Sequence, residues 1–289
     1  MSDVVPVGRI VVGIDGSEGS TAALEWAAAK ARRLGAALEV VLCWELRAPY
    51  LAPHPPHEVF VEETRERAES TLAAQVADVD LPDGAACEAV EGPPASTLLA
   101  RAEEADLLVV GAHGSDGFMP GIGSIATRCA IRNTVPTVVV PSGGAAVPDG
   151  PALVGVDGST AGTGALLAAL ALAAPGRELI AVHAWTVPAV TGPAISVLDP
   201  SLFEAEGQEA LDATLAVLAD ADRPRVTERL VHGSARVVLR DLAEESSMVV
   251  VGVRGHSTLL HRMMGSVATY LLHHHPTAVV VVPVEVVED

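Results

Sequence analysis

Aromatic and lysine side chains are scarce in this sequence of 289 residues, and their scarcity limits what the protein can be. Phe, Trp and Tyr make up only 3% of the residues, so the cores must be built from Val, Leu, Ile and Ala. Lys30 is the only lysine, and the sequence contains no Gly-x4-Gly-Lys-[Ser/Thr] motif. A phosphate-binding loop of the P-loop type, which needs that lysine, is therefore excluded.

Cysteines and long apolar runs are also few. Cys43, Cys87 and Cys129 form no Cys-x2-Cys pair and no even-numbered disulfide framework, and their apolar or Ala neighbours predict buried free thiols. Free thiols indicate a reducing compartment. No apolar run reaches about 18 residues without a break, and residues 1–9 carry no basic-then-apolar signal segment. We therefore expect a cytoplasmic protein with no membrane-spanning segment.

Basic residues are outnumbered by acidic ones, which gives a net charge of -19 and a pI of about 4.8. A field of this sign repels DNA, RNA and anionic lipid, so we expect neither a nucleic acid nor a membrane as a partner. The same field repels ATP. Any phosphate site in this protein must therefore supply strong local hydrogen-bond donors.

An internal repeat divides the sequence into two halves. The segment Val12–Ser17 reads Val-Gly-Ile-Asp-Gly-Ser and returns at Val154–Ser159 as Val-Gly-Val-Asp-Gly-Ser. Later motifs recur in the same order, at offsets of 141 to 142 residues. Residues 142–150 are small and turn-rich, as in a linker. The repeat therefore predicts two similar domains, at residues 1–143 and 150–289.

Short β-branched runs alternate with helical stretches in each half. The strands read as continuous apolar runs, which is typical of strands covered on both faces in a parallel sheet. This alternation, with right-handed crossovers, predicts the α/β class: two tandem three-layer domains, each with a five-stranded, parallel, doubly wound sheet. In such a sheet, ligands bind outside the carboxyl ends of the strands, where the strand order reverses.

Two aspartates, Asp15 and Asp157, end the first strand of each half. A carboxylate at this edge can accept hydrogen bonds from ribose hydroxyls or from an adenine amine. Asp-Gly-Ser is also ordinary turn and helix-capping chemistry, so a structural role is the alternative. The repetition of the motif at the same place in both halves favours a binding role.

Glycines follow the fourth strand of the second half in the spacing Gly252-x2-Gly255-x9-Gly265-Ser266. Gly252 and Gly255 let the backbone pass close to a ligand. Gly265, Ser266 and Val267 open the next helix, whose free amides suit a phosphate. Four basic residues in or beside this loop are placed to screen phosphate charge: Arg254, His256, His261 and Arg262. The alternative is a glycine-rich surface loop with a Gly-Ser helix start.

Two further features are less specific. At the end of the second strand, the backbone groups of Cys43 and Ala184 are placed to pair with an adenine edge, but burial in the core is an equal alternative. The run His273–His275 does not predict a metal site, because consecutive helical residues point about 100° apart. Histidines that complement the dipole at a helix end are the simpler interpretation.

At these residues the chain resembles the universal stress protein family over nearly its whole length, as a tandem pair of domains. The resemblance rests on the opening Val-Gly-Val-Asp-Gly-Ser, on the glycine spacing that ends in Gly265-Ser266, and on the closing Pro-Thr-x-Val-Val-Val strand. It implies a fold like that of the adenine-nucleotide α-hydrolases and a bound ATP or AMP, with Mg²⁺, at the sheet edge. It further implies phosphates on the last glycine-serine pair, ribose near the first Asp and adenine near the end of strand two.

Carried over residue by residue, the resemblance predicts one nucleotide site in each half. In the second half it marks Gly155, Asp157, Ala184, Gly252, Gly255, Gly265, Ser266 and Val267, to which Arg254 is added from its loop position. In the first half it marks Gly13, Asp15, Cys43, Gly111, Gly114, Gly123, Ser124 and Ile125. Eight residues rather than nine separate Gly114 from Gly123, and none of them is basic. We therefore expect weaker ATP binding in the first half.

The Val-rich final strand of each half bears on assembly. Exposed apolar strand edges invite pairing, and in the family that the chain resembles this strand makes the dimer contact. The resemblance implies that the two halves pair as a pseudo-dimer within one chain. It also implies a homodimer in addition to that intrachain pair.

Three functions remain open on these grounds. The leading one is an ATP-binding stress-response regulator or sensor, in which the nucleotide stabilises one conformation or partner surface. The second is a slow ATPase or nucleotidyl-transfer enzyme, although no catalytic residue set can be identified. The third is an interaction protein that holds no nucleotide. A dinucleotide-dependent oxidoreductase is disfavoured, because strand one leads into Asp-Gly-Ser rather than Gly-x-Gly-x-x-Gly.

Overall fold

The apolar runs of the sequence form parallel strands in both halves of the protein. The computed structural model describes residues 6–46, 57–114, 122–144, 149–173, 176–188, 199–255, 264–274 and 277–284. The chain divides into two units, one formed by residues 7–144 and the other by the rest. The domain limits predicted above, 1–143 and 150–289, and the pairing of the halves as a pseudo-dimer stay predictions.

The first unit alternates strands and helices along its whole length. Its elements are β1 (Arg9–Ile14), α1 (Glu18–Leu34), β2 (Ala37–Trp44), α2 (His57–Ala77), β3 (Ala86–Glu91), α3 (Pro94–Ala102), β4 (Leu107–Gly111), α4 (Ser124–Arg132) and β5 (Thr137–Val140). The strands lie in the order β3-β2-β1-β4-β5, and each neighbouring pair is parallel. The strand order therefore reverses between β1 and β4.

The second unit repeats this arrangement. Its elements are β6 (Ala152–Gly155), α5 (Thr160–Leu172), β7 (Leu179–Trp185), α6 (Pro200–Leu215), a single 3-10 turn (Arg223–Arg225), β8 (Val226–His232), α7 (Ala235–Ala243), β9 (Met248–Gly252), α8 (Ser266–His273) and β10 (Ala278–Val282). The order β8-β7-β6-β9-β10 is again parallel throughout and reverses between β6 and β9. The α/β class with doubly wound parallel sheets is confirmed.

Helices cover both faces of each sheet. Right-handed crossovers place α1 and α2 on one face and α3 and α4 on the other, and the same rule places α5 and α6 opposite α7 and α8. In agreement with this, α3 packs against α4, and α7 packs against α8. None of the helices in the described ranges is long and apolar enough to cross a bilayer.

The central strands carry the core of each unit, and the edge strand does not. Val11 of β1 and Leu108 of β4 are fully buried, as are Leu153 of β6 and Val249 of β9. The edge strand β3 is largely exposed. This layering follows from strand order, because a central strand is covered by neighbours on both sides and by helices on both faces.

Cys87 corrects one expectation drawn from the sequence. Cys129 is buried and Cys43 is half-buried, but Cys87 is exposed. The prediction of three buried thiols was therefore wrong for Cys87. Its Ala neighbours fit an exposed strand as well as a core, and β3 lies at the edge of the sheet.

The packing of Gly13 leads to a stability prediction. A Cβ atom placed on Gly13 would lie 2.6 Å from Leu98 Cδ1 and 3.3 Å from Leu98 Cγ, and Leu98 is itself buried. Because Leu98 cannot move without disturbing the core, Gly13→Ala should lower the free energy of unfolding by about 1–3 kcal/mol. Chemical denaturation measures this difference. Gly143→Ala is the matched control, since its Cβ would meet nothing within 4 Å, and an equal loss in both variants would contradict the packing.

Candidate functional site

The Asp-Gly-Ser motif forms a tight turn between the first strand and the first helix of each half. Gly16 and Gly158 have φ angles of +82° and +80°, which a residue with a side chain rarely adopts. Ser17 is the N-cap of α1 and accepts a hydrogen bond from Ser20 N at 3.2 Å, and Ser159 caps α5 in the same way. The structural alternative was therefore right about capping, but the serine and not the aspartate is the cap.

The aspartate of each turn is held by that serine and packs against a glycine beyond the fourth strand. Asp15 Oδ1 accepts hydrogen bonds from Ser17 N at 3.0 Å and Ser17 Oγ at 2.6 Å. A Cβ atom placed on Gly114 would lie 2.6 Å from Asp15 Oδ2.

The second half repeats this contact. Asp157 Oδ1 accepts from Ser159 N at 3.1 Å and from Ser159 Oγ at 2.5 Å. A Cβ atom placed on Gly255 would overlap Asp157 Oδ2. Only glycine at these positions leaves room for the carboxylate, so two motifs that are distant in sequence meet in both halves.

The last helix of each half begins at this same edge with amides that have no partner within the helix. Gly265, the N-cap of α8, has no side chain with which to accept a hydrogen bond, and the first intrahelical bond runs from Thr269 N to Gly265 O at 3.0 Å. The amides of Ser266, Val267 and Ala268 therefore have no partner within the helix. Gly123 and Thr127 repeat this arrangement, which leaves the amides of Ser124, Ile125 and Ala126 in the same state.

Backbone hydrogen bonds fix each helix start beside the end of the fourth strand. Val253 N donates to Val282 O at 2.7 Å, and Gly265 N donates to Val253 O at 2.8 Å. The first half makes the equivalent bonds through Ala112. The intervening residues 115–121 and 256–263 lie outside the described residues. The shortened loop of the first half, and the predicted contributions of His256, His261 and Arg262, are therefore not tested.

Glycines after the fourth strand also allow a close approach to the first helix. A Cβ atom on Gly111 would lie 2.6 Å from Gly19 O, and one on Gly252 would lie 2.8 Å from Ala161 Cβ. These glycines are needed for packing between backbone segments. Whether they also contact a ligand stays a prediction.

A cavity of about 210 Å³ opens at the carboxyl edge of the second half. It brings together every residue that the sequence marked there: Gly155, Asp157, Ala184, Gly252, Arg254, Gly255, Gly265, Ser266 and Val267. Its walls are formed by the ends of β6, β7 and β9 and by the starts of α5, α7 and α8. Its lining includes the start of α8 with Ser266, the polar side chains of Asp157, His183 and Arg254, and apolar residues such as Leu239.

The sequence did not identify all of the residues that line this cavity. Those missed are Val156, Gly162, Val182, His183, Ala235, Leu239, Val251 and Ala268. Leu239 could have been found from the repeat, because Leu98 holds the same place in the first half and both pack against a strand-one glycine. His183 had no such signal, since Leu42 stands at its position in the first half.

The first half shares the backbone of the site but differs in its side chains. Cys43 stands where the second half has Ala184, and His113 stands where it has Arg254. Burial raises the pKa of the Cys43 thiol to about 11, so this residue is a neutral group at physiological pH. At this loop position the first half therefore has a histidine in place of the arginine.

Comparisons with known proteins agree with the repeat and with the fold. A family model described as the Universal stress protein family matches residues 6–141 and 150–283. The chain is similar to Universal stress protein Rv2005c of Mycobacterium tuberculosis, with 31% identity over 94% of this chain and 96% of the relative. It is also similar to the solved structure of a universal stress protein from Archaeoglobus fulgidus, with a TM-score of 0.61 and 18% identity over 95% of this chain and 98% of that chain. The resemblance drawn from the sequence motifs is confirmed.

The burial of the cysteines predicts an order of chemical reactivity. Burial raises the pKa of Cys43 to about 11 and that of Cys129 to about 12, so both are almost entirely protonated at about pH 8, where a free thiol is partly ionised. Cys87 is exposed. A thiol reagent should therefore label Cys87 first, the half-buried Cys43 more slowly and the buried Cys129 only after unfolding. Peptide mass spectrometry at successive times measures this order, with Cys87→Ser as the control, and rapid labelling of Cys129 in folded protein would contradict the structure.

Proposed function

Because the chain belongs to the universal stress protein family, we propose that its second half binds ATP or AMP at the carboxyl edge of the sheet and acts as a nucleotide-dependent regulator. One observation carries the proposal. The amides at the start of α8, which have no partner within the helix, border a cavity that is also lined by Asp157 and Arg254. An anion at one end and a polar sugar beside it match this distribution of groups.

The phosphate end of the site rests on α8. Three consecutive amides and the partial positive charge of the helix N-terminus stabilise an anion, and the Ser266 hydroxyl supplies one more donor. Arg254 lines the same cavity, and its Cα lies 3.4 Å from the position that a Cβ atom on Gly265 would take. These donors act at short range. Short-range donors are needed because the net charge of -19 repels a polyanion.

The nucleoside end of the site rests on Asp157 and the end of β7. Asp157 Oδ1 is held by Ser159, which fixes the carboxylate in the cavity wall, where it is placed to accept from ribose hydroxyls. Leu239 and Val182 form an apolar wall beside Ala184, which suits the flat face of a base. Gly255 fits this role as well, because the absence of a Cβ leaves room for the carboxylate in this position.

Magnesium would enter this site with the phosphates. In the part of the chain that the structure describes, no group of three or more His, Cys, Asp or Glu side chains is placed to hold a metal ion. The protein's own contribution is therefore to orient the phosphate chain through α8 and Arg254. Bound Mg²⁺ would supply charge neutralisation between phosphate oxygens.

A regulatory role follows from mass action. A nucleotide that binds only the folded second half stabilises that half, and with it any partner surface that the half carries. Slow hydrolysis and nucleotidyl transfer are the competing functions, and steady product formation that is lost in Asp157→Asn would favour them. Homodimer formation through the final strand also stays a proposal.

Gly255→Ala provides the direct test of the site. Its Cβ would displace the Asp157 carboxylate, so the variant should bind Mg-ATP at least about tenfold more weakly than the wild type. Isothermal titration calorimetry measures the affinity and the number of sites, and circular dichroism checks the fold. Gly143→Ala is the control and should bind as the wild type does. No heat of binding in the wild-type protein, with no nucleotide released on denaturing it, would refute the proposal.

Binding also predicts a shift in stability. With Mg-ATP at 100 times its dissociation constant, the free energy of unfolding of the second half should rise by about 2.7 kcal/mol. Denaturant titrations with and without Mg-ATP measure this rise, and Mg²⁺ with inorganic sulfate is the control for ionic strength. A rise of the same size with sulfate alone would show that the effect is not due to the nucleotide.

A further inference from the structure

His183 has an unusual hydrogen-bond partner at the end of β7. Its Nδ1 lies 2.9 Å from Val156 O, the last carbonyl before Asp157. A carbonyl oxygen can only accept, so Nδ1 carries the hydrogen and donates it. Both Val156 and His183 line the cavity of the second half. The side chain of one strand thus binds the backbone of its neighbour at the edge of the proposed site.

This bond lies where the next backbone hydrogen bond between β6 and β7 would form. The β6–β7 register ends at Gly155 and Val182, and Val156 N donates to Val182 O at 3.0 Å. In a regular parallel ladder, the next bond would run from Ala184 N to Val156 O. Among the residues that the structure describes, the Ala184 amide makes no such bond. The imidazole of His183 donates to Val156 O at this place.

The peptide groups of Ala184 face the cavity side of the strand. Gly233 N donates to Trp185 O at 2.9 Å, so the N–H and C=O of Trp185 point towards β8. Peptide groups of successive residues alternate in direction along a strand. Those of Ala184 therefore point towards β6, where the ladder has ended and the cavity begins.

The first half shows what happens without the histidine. Leu42 stands at the position of His183, is buried and carries no donor. There the register continues to the pair Ile14 and Leu42. This additional pair places the Cys43 amide on Ile14 O. The N–H of Cys43, the residue that corresponds to Ala184, is thus already hydrogen-bonded within the sheet.

The His183 ring is held in place by α6. A Cβ atom on Gly207 would lie 3.1 Å from His183 Cδ2 and 3.4 Å from His183 Nε2, and Gly207 is buried. The ring is therefore packed between α6 and the end of β6. This contact keeps Nδ1 directed at Val156 O.

We propose that His183 is a positioning residue in the second half, which keeps the backbone of Ala184 available to bind a base. By binding Val156 O it leaves the Ala184 N–H free to donate to adenine N1, beside the Ala184 C=O that accepts from the exocyclic amine, a role that rests on the proposed nucleotide site. The base contact is then made by backbone, and the histidine acts on it through the sheet. The first half, with Leu42, binds the base less well.

The first experiment needs no ligand and tests only whether the backbone hydrogen bond from Ala184 N to Val156 O is absent. Amide hydrogen exchange, followed by NMR, should be fast for Ala184 and slow for Cys43 in the nucleotide-free wild-type protein. The variant His183→Leu has the leucine of the first half at this position. In this variant the hydrogen bond from Ala184 N to Val156 O can form, so the Ala184 amide should become protected from exchange. Slow exchange of Ala184 in the wild type, or no change in the variant, would overturn the proposal.

The second experiment tests the base contact by comparing AMP with ribose 5-phosphate. His183→Leu should reduce the affinity for AMP about tenfold, as expected for the loss of the hydrogen bond from the Ala184 N–H, and leave the affinity for ribose 5-phosphate unchanged. His183→Gln, which keeps a donor, should retain more of the AMP affinity. Equal losses for both ligands would show a merely structural effect and would overturn the proposed role. If neither ligand binds the wild type, the proposed function fails, while amide exchange still decides the role of His183 in the sheet.

Discussion

A carboxylate occupies the space where a side chain would stand at Gly114 or Gly255, and the site in each half is organised around this contact. It joins the end of the first strand to the loop after the fourth strand, at the point where the strand order reverses. The same carboxylate accepts from the serine that caps the following helix. One contact therefore sets the turn, the helix start and the position of the glycine loop together.

The two halves share the features that maintain the fold but differ in side chains that would contact a ligand. Asp-Gly-Ser turns, glycine contacts and open helix N-termini are present in both. The halves differ where a ligand would meet side chains: Arg254 against His113, and His183 against Leu42. A duplicated domain can keep its fold through the first set of features while its ligand preference changes through the second.

The acidity of the chain and the anionic ligand proposed for it are compatible because they act over different distances. At physiological ionic strength the Debye length is about 8 Å, so most of the surface charge is screened at the site. Helix amides and Arg254 act at hydrogen-bond distance inside a partly enclosed cavity. In the proposed site the local donors would decide binding, and the net charge disfavours longer polyanions such as nucleic acids.

The sequence by itself determined the repeat, the alternation of strands and helices and the glycine and aspartate candidates. These depend on hydrophobic period and on the backbone freedom of glycine, which are properties of neighbouring residues. Strand order was only constrained by general rules, and the exposure of Cys87 depends on β3 lying at an edge. The tertiary structure alone decided the contact of His183. Its partner, Val156 O, lies 27 residues away, and only the pairing of β6 with β7 brings a side chain to the carbonyl that the next amide of the strand would otherwise bind.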